Sequence, residues 1–235
     1  MIALSRLRLD LHNHTSYSSD GGLTPGDLLR TARARGLDCI AVTDHNTVRG
    51  GLCALGLSEA DPSLPRVIPG IEVSTQAGEV VGLYVREDIP KGLPLGEAVE
   101  RIRNLGGLVY LPHPFDVFRR GAMCRRERDN AAAISDLVEA LNGRALGPRA
   151  GAKSGRLAER HGKPRGAGSD AHHKAEVGRA WVAVTELPTR DTLLMIVAAG
   201  EVQHSLGALG YSLNWGRQAS SPWTRAWRRI TRQTA

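Results

Sequence analysis

Short apolar runs alternate with amphipathic segments along most of the chain, and this alternation limits the possible folds more than any other feature. Apolar runs of about four to eight residues fit buried strands, and the longer segments between them fit helices. Strands alternating with helices are typical of parallel sheets, because a crossover between parallel strands needs a helix-length connection. The chain therefore predicts an α/β fold of seven or eight units, either a (β/α) barrel or a distorted relative of it, or a doubly wound open sheet.

The element boundaries follow from the same pattern and from local signals. Thr24 is suited to be an N-cap with Pro25 at the first helical position, and Gly36 ends that helix. Gly78 marks a tight turn between two strands. The predicted strands are Leu7–His12, Asp38–Asp44, Arg66–Thr75, Glu79–Val85, Gly107–His113, Asp136–Leu141, Pro164–Asp170 and Ala180–Val184. The predicted helices are Thr24–Arg35, Leu95–Leu105, Gly147–His161 and Arg190–Ala199.

Composition places the chain among globular proteins of a reducing compartment. Hydrophobic residues make up 41% of the 235 residues, enough for a sizeable core. The three cysteines, Cys39, Cys53 and Cys124, have no CxxC spacing, which fits a cytoplasmic location. The first residues lack a signal-peptide pattern, and no apolar run is long enough for a transmembrane segment.

The positive charge is concentrated at the C-terminus. The net charge is +7, and no Asp or Glu occurs from Val202 onward. We therefore predict one domain over residues 1–205 and a basic helical tail over 206–235, where Trp223, Trp227 and Ile230 would share one helix face. The tail could pack on the barrel or contact an acidic partner, an anionic membrane surface or nucleic acid. Its arginines are Arg217, Arg225, Arg228, Arg229 and Arg232.

Residue types that bind metals follow nearly every predicted strand. The strand ends carry His12 and His14, Asp44 and His45, Glu72, His113, Glu139 and Asn142, and Asp170 and His172. Active sites of α/β barrels and open sheets lie at the carboxyl ends of the strands, so these side chains are expected to converge. His12 and His14 are two residues apart on a strand, point to one face and can share a metal.

Each of these motifs has an ordinary structural interpretation. A lone HxH arises by chance, Asp44 could cap a helix, and Glu72 could face solvent. The His113–Pro114 pair alone indicates only a turn. Their joint placement at successive strand ends favours a metal site, because a buried charge must be paired or coordinated.

The motifs together resemble the polymerase-and-histidinol-phosphatase (PHP) family of metalloesterases, in particular its small stand-alone members. They cover about residues 7 to 185 and are, in order, DLHNHTSYSSDG, VTDHNT, IPGIEVST, PHP and GSDAHH. The resemblance implies a distorted seven-stranded barrel and two or three divalent metal ions, Mn, Fe or Zn. It also implies hydrolysis of a phosphorylated small molecule, a nucleotide or an oligonucleotide.

The resemblance also implies a role for each matching residue. One metal would be held by His12, His14 and Asp170, and Glu72 would bridge it to a second metal that His113 helps to bind. A third metal would be held by Asp20, His45 and His172. Asp20 stands where some relatives have a histidine, as in the branch that hydrolyses nucleotide or oligonucleotide phosphates.

The sequence departs from the family pattern near the second metal. Many relatives have a further histidine or cysteine there, and no equivalent stands out in this chain. Asn142 lies at about the right place but carries an amide, and Gly82 falls in the segment where some members have a histidine. The second metal is therefore expected to be weaker or completed by water.

The implied chemistry is hydrolysis by water that is activated by metal ions. His172 or Asp44 could relay a proton, and the arginines that follow strands five and six, Arg119, Arg120 and Arg144, could bind phosphate or simply be solvated. A metal-dependent amidohydrolase is one alternative, although no lysine stands at a strand end as a bridging ligand. A non-enzymatic barrel that binds protein or nucleic acid is the other, although such a domain should lack several ligands.

Overall fold

The computed structural model describes residues 6–116, 121–145 and 149–205. The strands are β1 (Leu7–Asp10), β2 (Cys39–Val42), β3 (Arg66–Ser74), β4 (Glu79–Leu83), β5 (Leu108–Leu111), β6 (Leu137–Asn142), β7 (Arg165–Gly168), β8 (Ala180–Val184) and β9 (Glu201–His204). The helices are α1 (Pro25–Ala34), α2 (Arg49–Ala60), α3 (Leu95–Asn104), α4 (Arg128–Ile134), α5 (Ala150–Arg160) and α6 (Leu193–Ala199). In these ranges, no helix combines the length and apolarity needed to cross a bilayer.

The strands form one mixed sheet that curls into a nearly closed barrel. The order is β7-β6-β5-β4-β3-β2-β1-β8-β9. The two ends of the seven-stranded part meet where Leu11 N donates to Ala167 O (3.0 Å) and Asp170 N donates to His12 O (2.7 Å). Asn13 and Ala171 then form a parallel bridge. The predicted distorted (β/α)7 barrel is confirmed, and β8 and β9 extend the sheet beside β1.

Strand β4 is the one strand among β1 to β7 that runs against its neighbours. It pairs antiparallel with both β3 and β5, whereas β1–β2, β2–β3, β5–β6 and β6–β7 are parallel. The amino end of β4 therefore lies at the same rim as the carboxyl ends of its neighbours. The turn that reverses the chain contains Gly78 at φ 135°, as the sequence predicts.

Local signals set the first helix as expected. Thr24 Oγ1 accepts a hydrogen bond from Asp27 N (3.1 Å), and Pro25 occupies the first helical position. Gly36 follows the helix with φ 73°, a backbone conformation that glycine adopts without strain. The end of α1 before Gly36 therefore sets the position at which β2 begins.

Three buried apolar clusters hold the helices on the barrel. One joins α3 and α5 to the sheet and includes Ile102, Val109 and Leu157. A second joins β1, β5 and β8 to α6, and a third joins α1 and α2 to β2. The predicted tail at 206–235 and the domain boundary before it lie outside the described residues, so both stay predictions.

Candidate metal centre

The barrel brings the predicted metal-binding side chains together at one rim. Among the described residues, four overlapping sets of three ligand-type side chains have donor atoms within 4.8 Å of one another. The sets are His12–His14–Asp170, His12–Glu72–His113, His14–His45–His172 and His45–Glu72–Glu79.

Glu72 lies at the centre of this cluster. Its side chain is 1% exposed, so the predicted alternative of an outward-facing surface residue is wrong. Its Oε2 atom lies 3.3 Å from both His12 Nε2 and His14 Nε2 and 3.2 Å from His45 Nδ1. Its Oε1 atom lies 3.1 Å from His113 Nε2. One carboxylate thus faces four imidazoles with two oxygens, the arrangement expected of a bridging ligand.

The spacing of donor atoms fits a divalent ion. His12 Nε2 and His14 Nε2 are 3.1 Å apart, and Asp170 Oδ1 lies 3.9 Å and 3.4 Å from them. A tetrahedral ion with bonds of about 2.0–2.1 Å holds its ligand atoms about 3.3 Å apart. The donor atoms of His12, His14 and Asp170 therefore already lie at about the separations that ligands of one metal ion have.

The tautomers of two imidazoles are also set for metal binding. His12 Nδ1 lies 3.2 Å from Glu139 Oε1, and since an ionised carboxylate only accepts, Nδ1 carries the hydrogen. Ser18 Oγ donates its hydrogen to Asp44 Oδ1 (2.8 Å), so His14 Nδ1 must donate to Ser18 Oγ (3.2 Å). In both rings Nδ1 is the donor to the support and Nε2 faces the cluster, where its lone pair becomes available once a metal ion displaces the proton on Nε2, as in metal-ligating histidines.

Glu79 is a member of the cluster that the sequence interpretation missed. Its Oε1 atom lies 3.6 Å from His45 Nδ1, and its Oε2 atom lies 3.8 Å from His113 Nε2. Glu79 begins β4, and the reversed direction of this strand puts its first residue at the rim. It occupies the place where the sequence offers no further histidine or cysteine. The sequence signal that could have identified Glu79 was the tight turn at Gly78. Such a turn makes β3 and β4 antiparallel and places Glu79, the first residue after it, on the strand next to Glu72.

Asn142 and Gly82, the two positions considered for that missing ligand, take other roles. Asn142 Nδ2 donates to Glu139 Oε2 and to Asp170 Oδ2, both at 2.9 Å, so its amide nitrogen faces carboxylates. A Cβ atom at Gly82 would meet Val85 and Ile102 in the apolar layer under α3. Asn142 thus positions acidic groups, and Gly82 belongs to the core.

The third set lies at the exposed edge of the cluster. The rings of His14 and His172 have centroids 4.2 Å apart, and those of His14 and His45 are 4.5 Å apart. Asp20, which is exposed, places its Oδ2 atom 3.2 Å from His172 Nε2 and 3.7 Å from His45 Nε2. The structure therefore brings Asp20, His45 and His172 together as the family resemblance implies.

Asp44 is buried behind the cluster and binds the loop that carries His14. Its carboxylate accepts hydrogen bonds from Thr15 N (2.6 Å), Thr15 Oγ1 (2.7 Å) and Ser18 Oγ. A Cβ atom at Gly50 would come within 1.9 Å of Asp44 Oδ2, so only glycine lets α2 approach this carboxylate. Asp44 reaches the cluster through Ser18, and its proton-relay role stays a prediction.

The charges of the cluster are strongly coupled. Burial lowers the pKa of His14, but hydrogen bonds with Asp170 and Glu72 outweigh it and raise the pKa to about 9. Burial and the charge of Glu72 raise the pKa of Glu79 to about 7. Burial and the neighbouring His14 lower the pKa of His172 to about 4. The inner part of the cluster, at His14 and Glu79, therefore draws in positive charge, for which a proton and a metal ion compete, whereas the edge at His172 disfavours a further proton.

Of the three arginines predicted to bind phosphate, Arg144 lies at the cluster. Its guanidinium contacts His172 Nδ1 and lies 3.7 Å from Asp170 Oδ1 and 3.5 Å from Glu176 Oε1. About a third of the side chain is exposed, so it can reach a bound ligand. Arg119 and Arg120 lie outside the described residues.

A barrel with a cluster of histidines and carboxylates at its rim defines a metallohydrolase architecture, and the family comparisons agree with it. The PHP domain model matches residues 10–150, and a second model, described as PHP-associated, matches residues 148–202. The chain belongs to the PHP family.

Three relatives are similar to this chain in sequence, and two of them are named enzymes. An uncharacterized protein of Methanocaldococcus jannaschii is 35% identical over 185 residues, which cover 77% of this chain and 72% of that protein. A 3',5'-nucleoside bisphosphate phosphatase of Chromobacterium violaceum is 35% identical over 42% of this chain. A 5'-3' exoribonuclease of Haemophilus influenzae is 32% identical over 41% of this chain. Each of the two enzymes is matched over 36% of its own length.

Two solved structures share the fold. One is a two-domain protein of Bacteroides vulgatus that contains a predicted PHP-like metal-dependent phosphoesterase, with a TM-score of 0.64 and 17% identity over 85% of this chain and 65% of that chain. The other is an amidohydrolase of Chromobacterium violaceum with bound sulfate and no metal, with a TM-score of 0.60 and 20% identity over 72% of this chain and 89% of that chain. At these identities the likeness concerns the fold alone.

Proposed function

We propose that this protein is a divalent-metal-dependent hydrolase that cleaves phosphate esters, with nucleotides or oligonucleotides as its substrates. The observation that carries the proposal is Glu72, one buried carboxylate that faces four imidazoles. A pair of ions on its two oxygens would explain why this much charge is buried at one point. The names of the two related enzymes, which act on nucleoside bisphosphates and RNA, support a nucleotide substrate.

The proposed ligands divide into three sets around Glu72. The first metal is assigned to His12, His14, Asp170 and Glu72; the second to Glu72, His113 and Glu79, with His45 beside it; the third to Asp20, His45 and His172. Two or three divalent ions, Mn, Fe or Zn, fit this mixture of imidazole and carboxylate donors. When bound, such ions acidify a water molecule and neutralise the charge of the phosphate oxygens.

The chain itself supplies orientation and charge for this reaction. Arg144 stands beside His172 at the exposed edge, where its guanidinium can bind two oxygens of a phosphate. Its contacts with Asp170 and Glu176 hold it there in the absence of substrate. With two ions bound and none at the third set, His172 lies between Arg144 and Asp20 and is the group best placed to pass a proton between the cluster and the leaving oxygen.

The geometry favours phosphate esters over amides. The four sets of clustered donors consist of histidine, aspartate and glutamate. The lysines of the chain, Lys91, Lys153, Lys163 and Lys174, all lie outside the strands β1 to β9, so none of them projects from a barrel strand as a bridging ligand. Arg144 adds a cation to a site that would already hold several, and such a concentration of positive charge suits a phosphate dianion. The donor sets also argue against the alternative of a non-enzymatic barrel. Such a domain is expected to lack several metal ligands, and here the four sets are present.

Metal analysis and a substrate panel test the proposal together. Protein purified without chelator should carry at least two divalent ions per chain by elemental analysis, given its overlapping donor sets. With added Mn it should release phosphate from nucleotides or cleave oligonucleotides, and chelator should abolish the activity. Fewer than one ion per chain with no gain on adding Mn would contradict the metal centre. Activity confined to amides or lactones would instead establish the amidohydrolase alternative.

A further inference from the structure

A cavity of about 500 Å³ opens beside the metal-ligand cluster. Its lining residues are Tyr17, Ser19, His45, Asn46, Asp88, Ile89, Pro90 and Lys91. His45 joins the cavity to the cluster, because the same imidazole contacts Glu72 and Glu79. The volume falls within the range of about 300–1,000 Å³ that is typical of sites for small molecules and cofactors. A phosphate at the cluster would therefore direct the rest of its molecule into this space.

Tyr17 gives the cavity an exposed aromatic surface. Its side chain is 40% exposed, in a protein where aromatic residues are only 4% of the chain. Tyr17 N donates to Thr15 Oγ1 (3.2 Å), and Thr15 is bound in turn by Asp44. The ring therefore stands on the loop that carries His14 and Asp20, and its position is tied to theirs.

The opposite side of the cavity is also fixed. Asp88 Oδ1 accepts a hydrogen bond from Val48 N at 2.7 Å, which ties the loop after β4 to the start of α2. Ile89 is 2% exposed and belongs to the apolar cluster under α3. The cavity is thus preformed, and a ligand entering it does not have to order either wall.

One cation lines this cavity and a second lies beside it. Lys91 lines it, and the guanidinium of Arg49 lies over the Tyr17 ring, 5.3 Å from its centroid. Neither side chain forms an ion pair within the described ranges. The acid in the lining, Asp88, accepts a hydrogen bond from Val48 N, and the exposed aromatic surface beside two cations is a combination that binds bases and phosphates of nucleic-acid components.

We infer that this cavity binds the nucleoside part of the substrate, with the base stacked on Tyr17 and further negative charge met by Lys91 and Arg49. This inference rests on the proposed function, because it takes the phosphate to be held at the metal cluster. It adds a selectivity that the cluster alone does not provide. Phosphates with an aromatic base are preferred over sugar phosphates without one.

Two substrates that differ only in the base test the inference. Adenosine 5'-monophosphate and ribose 5-phosphate present the same phosphate on the same sugar, and kcat/KM is measured for both in Mn. The wild-type protein should prefer the nucleotide. Tyr17→Leu should lower that preference about tenfold, the size expected for loss of one stacked base, while Tyr17→Phe keeps it. Arg156→Ala, at an exposed position of α5, controls for a general effect of surface substitution.

The outcomes separate this inference from the proposed function. Hydrolysis of both esters with equal efficiency would overturn the nucleoside site and leave the phosphoesterase intact. An unchanged preference in Tyr17→Leu would overturn the role of the ring. If neither ester is hydrolysed, the proposed function fails for this substrate class. The inferred nucleoside site is then tested by measuring the equilibrium binding of the same two compounds by calorimetry. A nucleotide preference that Tyr17→Leu removes supports the site, and equal binding overturns it.

Discussion

The rim of the barrel and its apolar body are built on opposite physical principles. The body is three clusters of buried aliphatic residues, in which each side chain can be replaced by a similar one at modest cost. The rim buries charged groups instead, including His12, Glu72 and Asp170, each at most 1% exposed. Burying charge costs free energy unless a partner or an ion compensates it. The body therefore accounts for the fold, and the rim serves ligand binding.

Backbone strain is concentrated at the rim. Of the four described non-glycine residues with positive φ, Asn46 (58°), His113 (26°) and Asp170 (52°) follow strands at the rim, and Tyr84 (63°) follows β4 at the opposite end of the barrel. Such conformations cost about 1–3 kcal/mol each and persist only where the surroundings enforce them. Gly168 shows how tight this packing is, because a Cβ atom there would lie 2.3 Å from His12 Cβ. The rim therefore gains its ligand geometry at the expense of stability.

The sharpest test of the comparison is Glu72→Gln. The substitution keeps the shape of the side chain but removes the charge that faces four imidazoles. Turnover should fall by roughly a thousandfold or more, because metal ions contribute several kcal/mol to such reactions. Metal content should fall with it, while circular dichroism shows an intact fold. Glu97→Gln, on the exposed face of α3, is the matched control. A fully metallated and active Glu72→Gln protein would refute the bridging role.

Ile102→Ala, in the apolar body, should lower stability and leave metal binding unchanged. Ile102 is fully buried on α3 and packs where Gly82 and Gly107 leave room for it. Removing its side-chain carbons should cost about 2–5 kcal/mol of unfolding free energy, measured with denaturant. Metal content and kcat/KM of the remaining folded protein should stay at wild-type values. A loss of metal in this variant would show that rim and body are not separable.

Ser18→Ala tests how the rim is supported. Ser18 Oγ links His14, His45 and Asp44, and it holds the hydrogen of His14 on Nδ1. Removing such a support of a metal ligand should weaken metal affinity about 10–100-fold, measured by competition with a chelator. Ser16→Ala, on the same loop but exposed, should bind metal as the wild type does. Equal affinity in both variants would show that the link is dispensable.

Arg144→Ala should separate substrate binding from metal binding. The guanidinium contacts His172 but is not among the clustered donors, so metal content should be retained. KM for a phosphate ester should rise by about tenfold, the effect of losing a charge-assisted hydrogen bond of roughly 1.5 kcal/mol. Arg156→Ala serves as the matched control. Loss of metal instead of a raised KM would assign Arg144 to support of the cluster.

The smallest expected effect is that of Thr24→Ala, which changes the N-cap of α1 and no side chain of the metal-ligand cluster. Losing the N-cap of α1 should cost about 1 kcal/mol of unfolding free energy. Thr24→Ser keeps a hydroxyl that can accept from Asp27 N and should recover most of that loss. Activity should be unchanged in both variants. A drop in metal content here would mean that α1 positions the loop between His14 and Asp20 more directly than its contacts indicate.

The elements with strong local signals could be predicted from the sequence. Pro25, Gly36 and Gly78 act through the conformation of their own backbone, so the helix and the turn that they bound appear in the structure as expected. Helices α2 and α4 and strand β9 were not predicted. Helix α2 contains three glycines and α4 is short, so neither has a clear apolar period, and tertiary packing decides their conformation.

The sequence alone determined the alternation of strands and helices and the donor residues at the strand ends, because both depend on residue type and spacing. It therefore determined the α/β class and most of the candidate cluster, and the resemblance of its motifs to the PHP family implied the barrel. Only the tertiary structure decided that β4 also pairs with β5, that Glu79 lies at the rim beside His45 and His113, and that Asp44 lies behind Ser18. The pairing of strands and the depth of a side chain depend on contacts between segments distant in sequence, and local patterns do not encode such contacts.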